Sequence, residues 1–304
     1  MAAAIPSGAP RARALSELLD VTFSLYRRHF PVLASTSLIV AIPGLILGVT
    51  LALWLGNMQE FLINAGTTSD PQALQNFFRQ SLAQFGPALG LGVAVQLLAA
   101  PVIFGATICA AVEVGSGRVP TVPSILIGTL RRYFPLLGLI GLAVLAAIAM
   151  VVLLALSFVL VIFFFVGWMA VVALTVLIGV RCSMALAAMF AENLGPIRAL
   201  RRSWNLVRGD FWRTLGILVV LYLLMVVLSL ALGGTFSVVF SLLPGLSPGL
   251  RLSLSQVASN LVQAAIAPVP ALAITLYYFD LRVRHEGYDL DELARQAAQG
   301  SAPA

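Results

Sequence analysis

The sequence predicts an all-α polytopic membrane protein of six transmembrane helices, arranged as three hairpins, each preceded by an amphipathic interfacial helix. Three observations predict it. Of 304 residues, 60% are hydrophobic and 10% charged, and the mean hydropathy is +1.01; a soluble domain carries about 25% charged residues. The apolar residues fall in runs long enough to cross a bilayer, which takes about 20 residues per helix. Three segments also enter odd-numbered runs in one pattern: LYRRHFPVL (25–33), LRRYFPLLG (130–138) and VRGDFWRTLG (207–216). Each is an amphipathic stretch, then arginine, then an aromatic at the membrane edge, as a repeated unit would give.

The chain reads as one integral membrane domain, 1–304. Residues 1–11 are small and Pro-containing and are expected to be disordered. No apolar run follows Met1 at signal-peptide distance, so none is expected. Over 12–29, Leu15, Leu18, Leu19, Thr22 and Tyr26 keep helical spacing, which predicts a first interfacial helix. Phe30-Pro31 opens the first span, about 31–55. Residues 56–85 are polar enough to leave the membrane; Ser69-Asp70-Pro71 supplies an N-cap with proline at the first helical position. Leu74, Phe77, Phe78, Leu82 and Phe85 then predict a short amphipathic helix on the far surface. The second span is about 87–112, and a loop over 113–132 carries Arg118, Arg131 and Arg132.

From Tyr133 to Val180 there are 48 residues without a charge, too many for one span and right for two. They divide into spans at about 133–157 and 164–191, with the break near Ser157. The fifth span is about 212–232. Gly233-Gly234, Pro244, Pro248 and Arg251 mark an outer loop. The sixth span is about 257–279, and an acidic tail with Asp289, Asp291 and Glu292 follows over 281–304.

All 18 basic residues are arginine. With both termini inside, Arg79 and Arg251 fall outside and the other 16 fall inside, a strong positive-inside asymmetry. The expected location is therefore the bacterial cytoplasmic membrane, multi-pass, with both termini cytoplasmic. The net charge of +6 does not point to nucleic acid, because the arginines cluster at membrane edges and suit anionic lipid headgroups.

The even spans also match one another. VQLLAAPV (95–102) and VQAAIAPV (262–269) share Val, Gln, Ala, Pro and Val in register, and the same offset of 167 carries Glu113 onto Asp280.

No catalytic, cofactor or metal site is expected. His29 and His285 are the only histidines, no HxxxH or HExxH spacing occurs, and no glycine-rich phosphate loop stands between a strand and a helix. Cys109 and Cys182 imply neither a disulfide framework nor a metal site. Two groups of residues remain as candidates. The first is the segment from Glu192 to Gly216, which holds Arg198, Arg201, Arg202, Arg208 and Arg213 with Trp204 and Trp212. Ile197, Leu200, Trp204 and Val207 recur at helical spacing, so a greasy stripe with basic flanks would lie in the membrane–water interface. Arg198, Arg201, Arg202, Trp204, Arg208 and Trp212 are the candidate lipid or partner contacts; the alternative is a plain connector with a positive-inside excess.

The second group is intramembrane. Arg181 precedes another apolar stretch, CSMALAAMFA (182–191). If the fourth helix continues to Ala191, Arg181 lies about 16 Å from Glu192 at 1.5 Å per residue, and an intramembrane arginine marks function. If the helix ends at Val180, Arg181 is an interfacial anchor. The first reading has it facing polar groups on spans two or six: Gln96, Gln263, and carbonyls freed by Pro101 and Pro268. The alternative makes the glutamines interhelical glue and the prolines packing kinks. Gly44/Gly48 and Gly86/Gly90 are small-xxx-small pairs.

Two stretches resemble a known family. VRCSMALAAMFAENLGPIRALRRSWNLVRGDFWRTLGIL (180–218) and LYYFDLRVRHEGYDLDELA (276–294) are similar to parts of the membrane domain of glycerophosphoryl diester phosphodiesterases and related stand-alone six-helix bacterial membrane proteins. The marks are Arg181, Glu192, Ala199-Leu200, Ser203-Trp204, Gly209, Phe211-Trp212 and Asp280-Leu281-Arg282; Ala188 stands where that family often has proline. In fused relatives a soluble catalytic domain follows. This chain ends at Ala304, so the resemblance implies the membrane part without the phosphodiesterase activity. The expectation is a non-catalytic accessory or scaffold protein that binds anionic lipid or a membrane partner. The alternative is a transporter or channel for a small amphiphile or lipid.

Overall fold

The computed structural model describes residues 15–65, 71–159 and 164–286. Every regular element in them is helical. In order these are α1 (Leu15–Arg28), α2 (Phe30–Ala65), α3 (Pro71–Gly115), α4 (Val122–Leu130), α5 (Tyr133–Val159), α6 (Phe164–Cys182), α7 (Ala185–Glu192), α8 (Pro196–Val207), α9 (Phe211–Leu228), a π-helical turn (Ser229–Gly234), α10 (Thr235–Leu242), α11 (Pro248–Ile266) and α12 (Pro268–Glu286). Six segments are long and apolar enough to cross a membrane: Phe30–Phe61, Leu74–Gly115, Tyr133–Leu156, Gly167–Glu192, Phe211–Leu242 and Gly249–Glu286. The protein is a multi-pass membrane protein.

Helix α2 packs along α3 and α11, and α5 along α6. The short helices α1, α4, α7 and α8 gather at one end: α1 lies on α12, α4 on α3, and α7 between α3, α8 and α12. That arginine-rich end also holds the best-buried side chains. One cluster is built from Leu33, Ala106, Ile125, Leu136, Met189 and Leu272. A second is built from Leu18, Met184, Val207, Leu221, Tyr277 and Leu281. Away from this end the spans stay apolar and exposed, as at Leu91 (68%), Leu145 (64%) and Val151 (65%). That is the surface a spanning helix offers to lipid tails, with its backbone bonds closed internally.

Local chemistry explains the joints. Thr121 caps α4 in a reciprocal bond with Ser124, a capping box that satisfies donors at a helix start. The Ser124 hydroxyl also donates to Glu113 at the end of α3, 3.0 Å away. Gly105 is required where α3 meets α4 and α5, since a Cβ there would lie 2.6 Å from Leu136 Cδ1 and 2.8 Å from Thr129 Cγ2. The Tyr26 hydroxyl donates to the Ala265 carbonyl at 2.7 Å, in the last turn before Pro268 interrupts the helix.

Several boundaries differ from those expected. The first span does not end at residue 55, nor does a separate surface helix precede the second. Instead α2 runs to Ala65, and α3 is continuous over 45 residues through Pro87 and Pro101. Phe61 stacks on Phe77 with centroids 4.2 Å apart, so the two extensions support each other. Helix α5 passes Ser157 and continues to Val159. Gly233-Gly234 does not open a loop; it ends the π turn that links α9 to α10. Gly233 is buried there, facing Ser259 of α11, and the missing side chain lets the two elements meet. The sixth span is two helices, because Pro268 and Pro270 lack the N–H groups that would continue α11. The expectations for residues 1–14, the Ser69-Asp70 cap, residues 160–163 and the acidic tail from 287 fall outside the described residues.

Candidate functional site

Two regions collect the polar side chains. The first closes the arginine-rich end. Glu192, the last residue of α7, accepts from the Tyr278 hydroxyl at 2.5 Å and from Arg202 Nε at 3.0 Å and Nη2 at 2.8 Å; Arg282 Nε stands 3.4 Å away. Arg202 also pairs with Glu286. The hydrogen bond to Glu286, supported by Glu192, holds the Arg202 guanidinium above its ordinary pKa even though burial works the other way. Asp280, 4% exposed, takes Arg284 Nε at 2.9 Å and Arg213 Nη1 at 3.3 Å. His285 Nε2 lies 2.7 Å from Asp210 Oδ2. Tyr277 and Thr214 share a hydroxyl–hydroxyl bond of 3.0 Å. Together these bonds tie α7, α8 and α9 to α12. Arg132 adds a tie by donating to the Met189 carbonyl and lying over the Phe190 ring.

Of the six candidate contacts, Arg202 is therefore engaged within the protein. The other five are exposed: Arg198, Arg201, Trp204, Arg208 and Trp212, Trp212 at 79%. Along the stripe of Ile197, Leu200, Trp204 and Val207, Ile197 and Trp204 are exposed, Leu200 is half-buried and Val207 is buried. The buried residues are Ala199, Ser203, Leu206 and Val207. Small Ala199 and Ser203 let the backbone of α8 come close to α7. Ile197, Arg201, Trp204 and Arg208 follow i, i+4, i+7 and i+11, so they share the outward face.

Arg181 is at a break, not inside a continuous helix over 164–191. Helix α6 ends at Cys182, and α7 begins at Ala185. Ser203 on α8 clamps the gap: its hydroxyl donates to the Arg181 carbonyl at 2.7 Å and accepts from the Met184 N–H at 3.1 Å. The Arg181 guanidinium lies over the Trp204 ring, 4.8 Å from its centroid, a cation–π contact. Its buried Nε has no hydrogen-bond partner among the described residues. The expected carbonyl partners near Pro101 and Pro268 are not what it meets. Pro101 is buried inside α3, and Pro268 is buried at the start of α12.

The second region brings Gln96 and Gln263 together. They line a cavity of about 500 Å³ between α2, α3 and α11, with Ser37, Gly44, Gly48, Thr107 and Asn260 among its walls. Val40, Leu47, Leu51 and Ile103 supply its apolar side. Gln263 Nε2 donates to Ser229 Oγ at 2.8 Å, at the start of the π turn. Gln256 Nε2 donates to Asn260 Oδ1 at 3.3 Å. Gln96 Oε1 and Asn260 Nδ2 are buried without a hydrogen-bond partner among the described residues. Glycines stand opposite them. A Cβ at Gly48 would lie 3.1 Å from Asn260 Nδ2, and one at Gly44 would lie 3.4 Å from Gln96 Oε1.

Sequence reasoning missed Asn260 and Ser229 here, and named Ser203 without its role at the helix break. Asn260 is three residues before Gln263, one turn away on the same face of α11, and that spacing was the available signal. Among the described residues no group of three or more His, Cys, Asp or Glu could hold a metal ion. No family model, curated protein or solved structure matches the chain.

Proposed function

We propose that this protein is a non-catalytic accessory or scaffold of the bacterial cytoplasmic membrane, binding anionic lipid headgroups through the outward face of α8. One observation carries the reading: Arg198, Arg201 and Arg208 are exposed beside Ile197, Trp204 and Trp212, while Arg202 is held by carboxylates. Guanidinium groups next to exposed tryptophan suit the headgroup level, the arginines on phosphate and the rings at the acyl boundary. On this reading α1, α4 and α8 are the interfacial leads of three helical hairpins. The positive-inside asymmetry of the sequence supports a cytoplasmic side for them and for both termini. A membrane protein docked on the same face is the other occupant consistent with an accessory role. The resemblance to the membrane domain of glycerophosphoryl diester phosphodiesterases fits a protein without turnover of its own.

The test is charge reversal of Arg198, Arg201 and Arg208 together in the full-length protein. Anionic phospholipid retained through purification in mild detergent, read by lipid mass spectrometry, should fall several-fold. Thermal stability should stay within about 0.5 kcal/mol, as for exposed surface sites. Unchanged lipid retention by a folded variant overturns the reading.

A second reading, a carrier or channel for a small amphiphile, is favoured by the cavity between α2, α3 and α11. Breaks in spans four and six and the π turn in span five give the fold joints that transporters use.

A further inference from the structure

We infer that the cavity between α2, α3 and α11 is a binding site for an uncharged amphiphile whose head carries hydroxyl or carboxamide groups. The inference uses the cavity of the second reading but does not depend on transport. Volume comes first: about 500 Å³ falls within the roughly 300–1,000 Å³ of small-molecule sites.

The lining chemistry selects the head. The polar side chains are Ser37, Gln96, Thr107, Asn260 and Gln263, and none of the lining residues is ionisable. A charged head would lose its hydration there without a counter-charge, which is costly in a low-dielectric span. Neutral hydrogen-bonding groups meet a different situation. Gln96 Oε1 is an acceptor and Asn260 Nδ2 a donor, both buried and unpartnered among the described residues. Each such atom costs about 1–3 kcal/mol if left unsatisfied. A hydroxyl or carboxamide both donates and accepts, so it completes either amide, and it still does so if an amide is turned end for end. A bare ammonium only donates and a bare carboxylate only accepts, so each completes at most one of the two.

The walls select the tail. Val40, Leu47, Leu51 and Ile103 face the same space, and Leu51 and Gln263 are exposed at its rim. A single acyl chain can lie against the apolar side and leave past the rim. The two glutamines come from corresponding places in the VQxxxAPV segments of α3 and α11, so the internal repeat itself supplies both sides of the site.

The experiment uses the full chain in mild detergent and a monoacylglycerol carrying a photoactivatable group on its acyl chain. The expected result is saturable labelling that maps to α2, α3 and α11, with lysophosphatidic acid, the same acylglycerol carrying a phosphate on one hydroxyl, failing to compete. Gln96→Leu and Asn260→Leu should each weaken binding about ten-fold, the value of one hydrogen bond at about 1.4 kcal/mol. Labelling confined to other helices, or full competition by lysophosphatidic acid, overturns the inference; both are read on the unmodified chain and need no variant to fold. Undiminished binding in folded Gln96→Leu also overturns it. Flux of the same probe is followed in proteoliposomes. Binding without flux removes the carrier reading and leaves this site standing. Binding with unchanged retention of anionic lipid after reversal of the α8 arginines likewise leaves it standing while removing the proposed function.

Discussion

The arginine-rich end and the cavity between α2, α3 and α11 solve opposite problems with polar groups. At the end, carboxylates and guanidinium groups are concentrated and satisfy one another: Glu192 with Tyr278, Arg202 and Arg282, and Asp280 with Arg213 and Arg284. None of the described residues lining the cavity is charged, and two amide atoms there have no partner among the described residues. Where a partner is wanted from the same chain, the fold supplies ions at short range. Where one is left open, it supplies neutral amides, whose unmet hydrogen bond costs far less than an unmet charge. The difference separates the structural polar groups from those open to a ligand better than residue type does.

The comparison breaks first at Asp280. Its side chain is 2% exposed, while Arg284 and Arg213 are 31% and 29% exposed. Asp280→Ala should destabilise the protein by about 3 kcal/mol, the low end for breaking a buried ion pair, because both arginines keep some access to water. Denaturant or thermal unfolding in detergent would measure it. A loss under about 1 kcal/mol would mean that the end is held by apolar packing of Tyr277, Tyr278 and Leu281, with the ions as ornament on it.

Ser203 is the next step down. It is fully buried and serves both sides of the α6–α7 break. Ser203→Ala removes both bonds and strands the Met184 N–H, for a cost of about 1–2 kcal/mol. Hydrogen exchange sharpens the assignment, since the Met184 amide should exchange faster while amides in α5 do not change. Uniform acceleration instead would make Ser203 a general packing residue.

These effects bear on how much the sequence disclosed. Six spans followed from the length and apolarity of the runs, because a bilayer demands both. The end network was half visible: Glu192, Ser203, Gly209, Asp280 and Arg282 stand in the two stretches that the sequence singled out, and the fold sets Arg282 beside Glu192 and Gly209 beside His285. A Cβ at Gly209, for example, would lie 3.0 Å from His285 Cε1. Pairing was not visible. Arg202 and Arg201 are neighbours of one type, and only the approach of α12 turns the first toward Glu286 and leaves the second outside. The buried face of α8 was not visible for a related reason. Ile197 and Trp204 are larger and more apolar than Ala199 and Ser203, yet the small residues are buried, because in helix packing near a membrane close backbone approach counts for more than side-chain hydrophobicity. The Gln96–Gln263 pair was legible from the VQxxxAPV repeat. Its open hydrogen bonds depend on Gly44 and Gly48 across the gap and needed coordinates.

The smallest expected effect belongs to Arg181, the residue that fits neither region. It is charged like the end network, but the structure sets its guanidinium on the Trp204 ring, with a buried Nε lacking a hydrogen-bond partner among the described residues. A cation over tryptophan contributes about 0.5–1 kcal/mol at a partly exposed site, and partial desolvation of the charge takes back a comparable amount. Arg181→Leu should therefore change stability by less than about 1 kcal/mol, since the backbone carbonyl that Ser203 holds is still present. Trp204 reports the change independently. Removing the cation from its face should shift its emission, and in a Trp212→Phe background, with Trp54 and Trp168 elsewhere, the shift can be assigned. A loss above about 3 kcal/mol would sink this account and make Arg181 a member of the end network. No spectral change in a folded Arg181→Leu protein would show that the ring and the guanidinium do not interact, and Trp204 would then belong wholly to the outward face of α8.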